Sequence, residues 1–141
     1  MPQRILVAGD DPIIRQLNRK VLAYSCYQVD TADNGAAAWN ALLVNDYDLL
    51  IADNDLPKGT GLDLLKKVHA TRMAMPVVMA TGAVTAWAFA QYPWLQPDAV
   101  LIKPYTFVEL LVTVREVLHP TVAAYVELEP PSGPGKLPFR V

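Results

Sequence analysis

Acidic, hydroxyl and amine side chains stand where several short apolar runs of the chain end. Asp10 follows the first run, Asp53 and Asp55 follow the third, Thr81 ends the fourth and Lys103 follows the fifth. An Asp carboxylate can attack phosphorus as a nucleophile. Carboxylates brought together repel one another unless a cation offsets them, and Mg²⁺ takes oxygen ligands while keeping several waters. Because a lysine and a hydroxyl aimed at the same point would hold phosphoryl oxygens, these residue types predict phosphoryl-transfer chemistry if the fold brings them together.

The elements that must position these residues alternate along the chain. Short apolar runs predict five strands, over residues 5–8, 27–32, 49–52, 77–80 and 99–102. Four of the runs are nearly all apolar, as expected of parallel strands covered on both faces. Helical patterns lie between and after them, over residues 13–24, 36–44, 61–70, 83–91 and 107–118. This alternation predicts an α/β fold whose active crevice lies beyond the carboxyl ends of the strands.

Capping signals mark the starts of three of these helices. Asp11 is placed to cap the first helix. Thr60 with Asp63, and Thr106 with Glu109, have the spacing of capping boxes. The apolar stripe predicted for the first helix comprises Ile14, Leu17, Val21 and Leu22.

Composition excludes several classes of function. The chain has 141 residues and a net charge of −2, which gives no electrostatic case for nucleic-acid binding. No apolar run approaches the roughly 20 residues of a membrane span, and the N-terminus does not have the pattern of a signal peptide. Because Cys26 is the one cysteine, no internal disulfide is possible, and the expected compartment is the cytoplasm. One domain is predicted over residues 1–120, followed by a largely flexible Pro/Gly-rich tail over 121–141.

Four segments at the strand ends, taken in order, resemble the receiver domain of two-component response regulators: ILVAGDDPIIR, LLIADNDLPKGTGLDLL, VVMATG and VLIKPY. The resemblance covers residues 4–118. It implies a CheY-like, flavodoxin-like (βα)5 fold, with a doubly wound five-stranded parallel sheet in the strand order 2-1-3-4-5. It also implies a cis peptide before Pro104 and a loop after the acceptor that Pro57, Gly59 and Gly61 shape.

The same resemblance implies a role for each candidate residue in a phosphorelay. Asp53 would be the phosphoacceptor, charged by a sensor histidine kinase or a histidine phosphotransfer protein. Asp10 and Asp53 would give carboxylate ligands to Mg²⁺, and Asp55 would give its backbone carbonyl. Thr81 would bond a phosphoryl oxygen and Lys103 would pair with the phosphate. The chain would be a signalling module rather than an enzyme, apart from its own Mg²⁺-dependent phosphorylation and dephosphorylation.

Four positions depart from the pattern of the family. Gly9 stands where the first of two adjacent acids usually lies, which should weaken Mg²⁺ binding. Val100 replaces a Tyr or Phe that normally rotates with the Thr switch. Asp55 and Ala83 lie where side chains tune the attacking water, so the resemblance does not predict how long the phosphate lasts. Gly9 and Val100 also motivate an alternative, a degenerate receiver that acts as a phosphorylation-independent interaction or dimerisation module.

An aromatic group in the fourth helical region suggests a contact surface. Within eight residues the chain carries Trp87, Phe89, Tyr92 and Trp94, more aromatic rings than one short helix can bury. One or two should pack against the sheet. We expect the others, together with the last helix, to contact a second copy of the chain or an output partner, since Trp and Tyr are favoured at interfaces.

Three further functions fit the acidic motif less well. Asp53, Asn54 and Asp55 begin like a calcium-binding loop, but Pro57 interrupts it and Leu64 occupies the twelfth position, where that loop needs Glu. Aspartyl phosphatases of the haloacid dehalogenase type carry their nucleophile after the first strand, whereas Asp53 follows the third. An independent hydrolase would need a further base, a cap or a substrate pocket, and none is visible in the sequence.

Overall fold

The computed structural model describes residues 2–120, apart from the side chains of Val84, Ala88 and Phe89. The predicted flexible tail over 121–141 lies outside the described residues. Five strands are present, namely β1 (Arg4–Ala8), β2 (Gln28–Ala32), β3 (Leu49–Asp53), β4 (Val77–Thr81) and β5 (Ala99–Ile102). The helices between and after them are α1 (Pro12–Tyr24), α2 (Gly35–Val44), α3 (Gly61–Ala70), α4 (Ala83–Phe89) and α5 (Phe107–Leu118).

The strands form one sheet in the order β2-β1-β3-β4-β5, and every neighbouring pair is parallel. The predicted fold and strand order are therefore confirmed. In the register of the sheet, Ala8 lies opposite Ala52 and Asp53 lies opposite Ala80. All strands consequently end at one edge of the sheet, which we call the carboxyl edge, while the helices return the chain to the opposite, amino edge.

The core consists of two apolar layers, one on each face of the sheet, because successive strand residues point to opposite faces. One layer packs α2 and α3 against residues such as Leu50 and Met79, both with no exposed surface. The other packs α1 and α5 against residues such as Ile5 and Leu49. Parallel strands covered on both faces explain why four of the runs are apolar throughout.

Side-chain caps fix where the helices begin, as predicted. The Asp11 carboxylate accepts hydrogen bonds from the backbone N–H groups of Ile13 and Ile14 at 2.9 and 3.2 Å. The capping boxes of Thr60 and Thr106 are both formed. Each supplies side-chain partners for N–H groups that have none within the helix.

Two expectations for the helices need correction. The predicted stripe of α1 is only partly buried, because Ile14 and Leu17 remain 46% and 40% exposed while Asn18 is buried beside Leu22. Helix α4 ends at Phe89 rather than at residue 91, and a turn leads on towards Pro93. Within residues 2–120, every helix is too short or too polar to cross a membrane.

Candidate functional site

The carboxyl edge brings together residues that lie far apart in the sequence. Asp53 is the last residue of β3, and Asp10 lies two residues beyond the end of β1. Lys103 directly follows β5, and the peptide bond between it and Pro104 is cis, as predicted. Asp10, Asp53, Asp55 and Lys103 line one cleft of about 700 Å³. The parallel order of the strands therefore assembles four of the five predicted side chains around one opening.

An ion pair joins the predicted acceptor to the predicted phosphate-binding lysine. Lys103 Nζ lies 2.9 Å from Asp53 Oδ1, and the Asp53 side chain is 14% exposed against 36% for Lys103. The carboxylate is therefore the more buried partner of the pair, and the lysine is the more exposed one. A charge-assisted contact of this length orients the carboxylate as well as neutralising it.

Burial and neighbouring charges perturb the Asp53 carboxyl. Burial is the largest effect and raises the pKa of Asp53, because a charged group loses hydration inside the protein. The Lys103 ammonium opposes this shift, and the negative charges of Asp10 and Asp55 reinforce it. The three carboxylates therefore interact, and a cation between them would relieve their repulsion.

Thr81 lies at the end of β4, next to the pair formed by Asp53 and Lys103. It is 1% exposed, and its backbone carbonyl accepts a hydrogen bond of 2.9 Å from the Lys103 N–H. This backbone contact extends the pairing of β4 with β5 by one residue and sets where the lysine leaves the sheet. The threonine is therefore buried at the end of β4, one residue beyond Ala80, which pairs with Asp53.

The loop after Asp53 is fixed by backbone contacts. The Asn54 carbonyl accepts hydrogen bonds from the N–H groups of Leu56 and Gly61, and the Asn54 side chain accepts one from Leu62. Gly61 is required because a Cβ there would lie 2.6 Å from the Asp53 carbonyl oxygen. Gly59 has a φ of +113°, a conformation that favours glycine. These contacts fix the backbone that directly follows Asp53 and so restrict where its side chain can lie.

Asn18 and Tyr105 border the site, and neither was among the predicted site residues. Asn18 of α1 is 5% exposed, and its Nδ2 donates a hydrogen bond of 2.8 Å to the hydroxyl oxygen of Tyr105. Both residues border the pocket behind Asp53, together with Arg15, whose Nη1 donates to the Gly9 carbonyl at 2.8 Å. A polar residue on an apolar stripe can be assigned a partner only when the tertiary neighbours are known. For Tyr105, the sequence signal is its position directly after the Lys103–Pro104 pair, which places it near the site.

The sequence also matches a known protein family over most of its length. The family model for the response regulator receiver domain matches residues 5–115. The chain is a member of the response regulator receiver family. Domains of this family are signalling modules of two-component systems, and phosphorylation on an Asp is general among them.

Relatives of known name agree with this assignment. The receiver is 31% identical over 124 residues to the transcriptional regulatory protein CusR of Escherichia coli K12, an alignment that covers 88% of this chain and 55% of CusR. It is 33% identical over 116 residues to the probable transcriptional regulatory protein SilR of Salmonella typhimurium, covering 82% and 51% of the two chains. The receiver spans about half the length of these relatives.

Solved structures show the same fold. A CheY-like receiver domain protein from Methanospirillum hungatei JF-1 superimposes with a TM-score of 0.77 at 27% identity, covering 84% of this chain and 94% of that one. The response regulator TrrA from Thermotoga maritima, in complex with Mg²⁺ and BeF, gives a TM-score of 0.73 at 30% identity, covering 82% and 99%.

Gly9, the first of the four departures from the family pattern, lies directly next to Asp53. Gly9 and Asp53 directly follow Ala8 and Ala52, the last residues paired between β1 and β3, and they lie next to each other. A Cβ at Gly9 would lie 3.2 Å from Asp53 Oδ2, which shows how closely the backbone approaches the carboxylate. The receiver therefore has no side chain at this position, whereas the family resemblance implies an acid there.

The oxygen donors of this receiver are suited to Mg²⁺. The predicted set contains the carboxylates of Asp10 and Asp53 and the carbonyl of Asp55, and a site with one or two carboxylates and several waters is typical of this ion. Asp10 and Asp55 are exposed, which leaves room for water. Over residues 2–120, no group of three Asp, Glu, His or Cys side chains is placed to hold a metal ion by itself, so the set relies on a backbone carbonyl and water as well as carboxylates.

Proposed function

We propose that this receiver accepts a phosphoryl group on Asp53 from a sensor histidine kinase or a histidine phosphotransfer protein in the cytoplasm, with Mg²⁺, and signals by protein–protein contact. The observation that carries the proposal is the ion pair of 2.9 Å between Asp53 and Lys103 at the carboxyl edge of a receiver fold. A structural salt bridge would need no opening, whereas this pair lies in a cleft of about 700 Å³.

Each residue of the site has a chemical part in this proposal. A carboxylate oxygen of Asp53 attacks phosphorus and forms the acyl phosphate, while the bond from phosphorus to the donor nitrogen breaks. Lys103 neutralises phosphoryl oxygens, and the Thr81 hydroxyl donates a hydrogen bond to one of them. Asp10, Asp53 and the Asp55 carbonyl would hold Mg²⁺, which would offset charge on the transferring group. Burial of Asp53 limits competing contact of the acyl phosphate with bulk water.

Apolar residues in the walls of the cleft favour a protein, rather than a small molecule, as the phosphoryl donor. Ile14 and Leu17 of α1 and Phe107 of α5 line the opening and are each at least 40% exposed. Apolar side chains at the mouth of a charged cleft provide contact area for a protein whose reactive side chain reaches inwards.

Mg²⁺-dependent labelling by a small phosphodonor such as acetyl phosphate tests the assignment. We expect the wild-type chain to be labelled only with Mg²⁺ present, and Asp53→Asn to lose the label. Asp46→Asn, which removes an exposed carboxylate outside the site, is the matched control and should be labelled normally. Label that persists in Asp53→Asn would overturn the choice of acceptor.

The second candidate function is a phosphorylation-independent interaction module, which Gly9 and Val100 favour. Val100 of β5 is 36% exposed, so a small aliphatic group occupies the surface position from which an aromatic ring would couple the site to the outer face. This module would show no Mg²⁺-dependent change in tryptophan fluorescence when beryllofluoride is added. A saturable response would exclude it in favour of the phosphoacceptor.

For the output contact, we include in the proposal the region from Trp87 to Trp94 and the last helix. Trp87 and Trp94 are 69% and 71% exposed, and Val108 and Val112 of α5 are 69% and 48% exposed. These side chains present apolar area to a second copy of the chain or to an output partner. Sedimentation velocity with and without beryllofluoride would detect the second copy as a concentration-dependent increase in mass.

A further inference from the structure

Exposed aromatic rings lie on α4 and on the loop that follows it at the amino edge of the sheet. Trp87 of α4 is 69% exposed, and in the loop between α4 and β5 Tyr92 and Trp94 are 47% and 71% exposed. The Tyr92 and Trp94 rings meet edge to face, with centroids 5.6 Å apart and planes at 81°. We call Trp87, Tyr92 and Trp94 the aromatic surface. So much exposed ring area in so short a segment indicates a binding function.

The loop that carries two of these rings is held in place. The Leu95 N–H donates to the Tyr92 carbonyl at 2.9 Å, and Leu95 packs against the core layer of α2 and α3. Asp98 ties the end of the loop to β4, since its N–H donates to the Val77 carbonyl and its carboxylate accepts from the Val77 N–H, both at 2.8 Å. A ligand would therefore meet rings that are already positioned, which lowers the entropic cost of binding.

The sequence that follows α5 has the composition of a ligand for such rings. Residues 121–141 carry four prolines near their end, Pro130, Pro131, Pro134 and Pro138. Proline-rich segments bind aromatic-lined surfaces as polyproline II helices, because proline rings stack on aromatic rings and little backbone freedom is left to lose.

The topology puts this segment within reach. Helix α5 runs from the carboxyl edge back to the amino edge, where the α4–β5 loop also lies, and β5 is the edge strand beside both. Pro130 lies ten residues beyond Pro120. Ten residues span up to about 33–36 Å when extended, whereas a five-stranded sheet is only about 19 Å wide. A covalent tether of this length also gives a high effective concentration.

We propose that the proline-rich segment over residues 129–139 binds the aromatic surface of the same chain. The segment then covers Trp87 and Trp94, and a second copy or an output partner must displace it to reach these rings. The inference goes beyond the proposed function and does not require Asp53 to be phosphorylated.

Fluorine NMR of the full chain labelled with 5-fluorotryptophan tests this directly. The protein has three tryptophans, and Trp39, which is half-buried on α2, is the internal reference. Relaxation by a soluble nitroxide measures how open each ring is. Replacing the four prolines of the segment together (Pro130→Ser, Pro131→Ser, Pro134→Ser and Pro138→Ser) should increase the nitroxide effect at Trp87 and Trp94 about twofold and leave Trp39 unchanged.

Control variants distinguish binding by the prolines from a general effect of changing the segment and from self-association. Ser132→Ala with Lys136→Ser alters the same segment but keeps its prolines, and should leave all three signals unchanged. The proline variant should give the same result in an Asp53→Asn background, so the test stands even if phosphorylation fails. Equal nitroxide effects with and without the prolines would overturn the inference. Protection that survives the proline changes and grows with protein concentration would also overturn it, and would assign the surface to a second copy.

Discussion

At the scale of single residues, Gly9 limits how much negative charge surrounds Asp53. It stands beside Asp53 and contributes no carboxylate, so Asp10 and Asp55 are the acids that raise the pKa of Asp53 together with its burial. Lys103 offsets the charge of Asp53 itself through their ion pair. The cation affinity of the site should therefore respond directly to a charge added at residue 9.

Gly9→Asp should tighten Mg²⁺ binding by about tenfold, because a further carboxylate at a metal site can hold metal-bound waters. Isothermal titration calorimetry with MgCl₂ measures the affinity without any phosphodonor. Gly9→Ala is the matched control, since its Cβ makes the same approach of 3.2 Å to Asp53 Oδ2 but adds no charge. Equal affinities for Gly9→Asp and the wild-type chain would contradict this account.

Asp53→Asn should stabilise the fold at neutral pH, where the wild-type chain holds a buried carboxylate whose pKa is raised. An acid with a raised folded-state pKa binds protons more readily in the folded chain, so it costs stability above that pKa. The advantage of the variant should therefore shrink as the pH falls through the folded-state pKa and vanish below the unfolded value of 3.8. Urea unfolding in metal-free buffer from pH 3 to pH 8 would show it, and an advantage that grows towards low pH would contradict it.

At the scale of elements, the sequence predicted most of the fold because local chemistry and tertiary packing agree. The capping boxes at Thr60 and Thr106 set the starts of α3 and α5, and both helices have the predicted bounds. The end of α4 was less predictable, because the helix is only seven residues long and leads into a proline-containing turn. The strand ends predicted where Asp53 and Lys103 lie, but not how α1 packs behind them.

The hydrogen bond between Asn18 and Tyr105 joins α1 to the loop before α5 and yields a stability prediction. Tyr105→Phe should reduce the free energy of unfolding by about 1–3 kcal/mol, because it leaves the buried Asn18 amide without this partner. Chemical denaturation measures the loss. Tyr24→Phe removes the same hydroxyl from a side chain that is 93% exposed on α1, and should change little. Equal stability of Tyr105→Phe and Tyr24→Phe would contradict the prediction, because the Asn18 amide would then have another hydrogen-bond partner.

At the scale of the whole molecule, the sheet is shared by both core layers, so the layers should unfold together. Leu49 and Leu50 are adjacent in β3, have no exposed surface and face opposite layers. Leu49→Ala and Leu50→Ala should each cost about 2–5 kcal/mol and keep one cooperative transition. Circular dichroism and tryptophan fluorescence should give coincident curves. Leu43→Ala, at a site that is 58% exposed, is the control, and separate transitions in either buried variant would show that the layers are independent.

The strand order has a consequence for how the site could be taken apart. Strands β2, β1 and β3 are neighbours and come from the first half of the chain, whereas β4 and β5 come from the second. Asp10 and Asp53 therefore belong to one half, and Thr81 and Lys103 to the other. A chain cut between α3 and β4 would leave two fragments, neither of which holds both the nucleophile and its lysine. If the proposed function holds, only the reassembled fragments would be phosphorylated, which makes that connection a suitable place to build a split reporter of protein proximity.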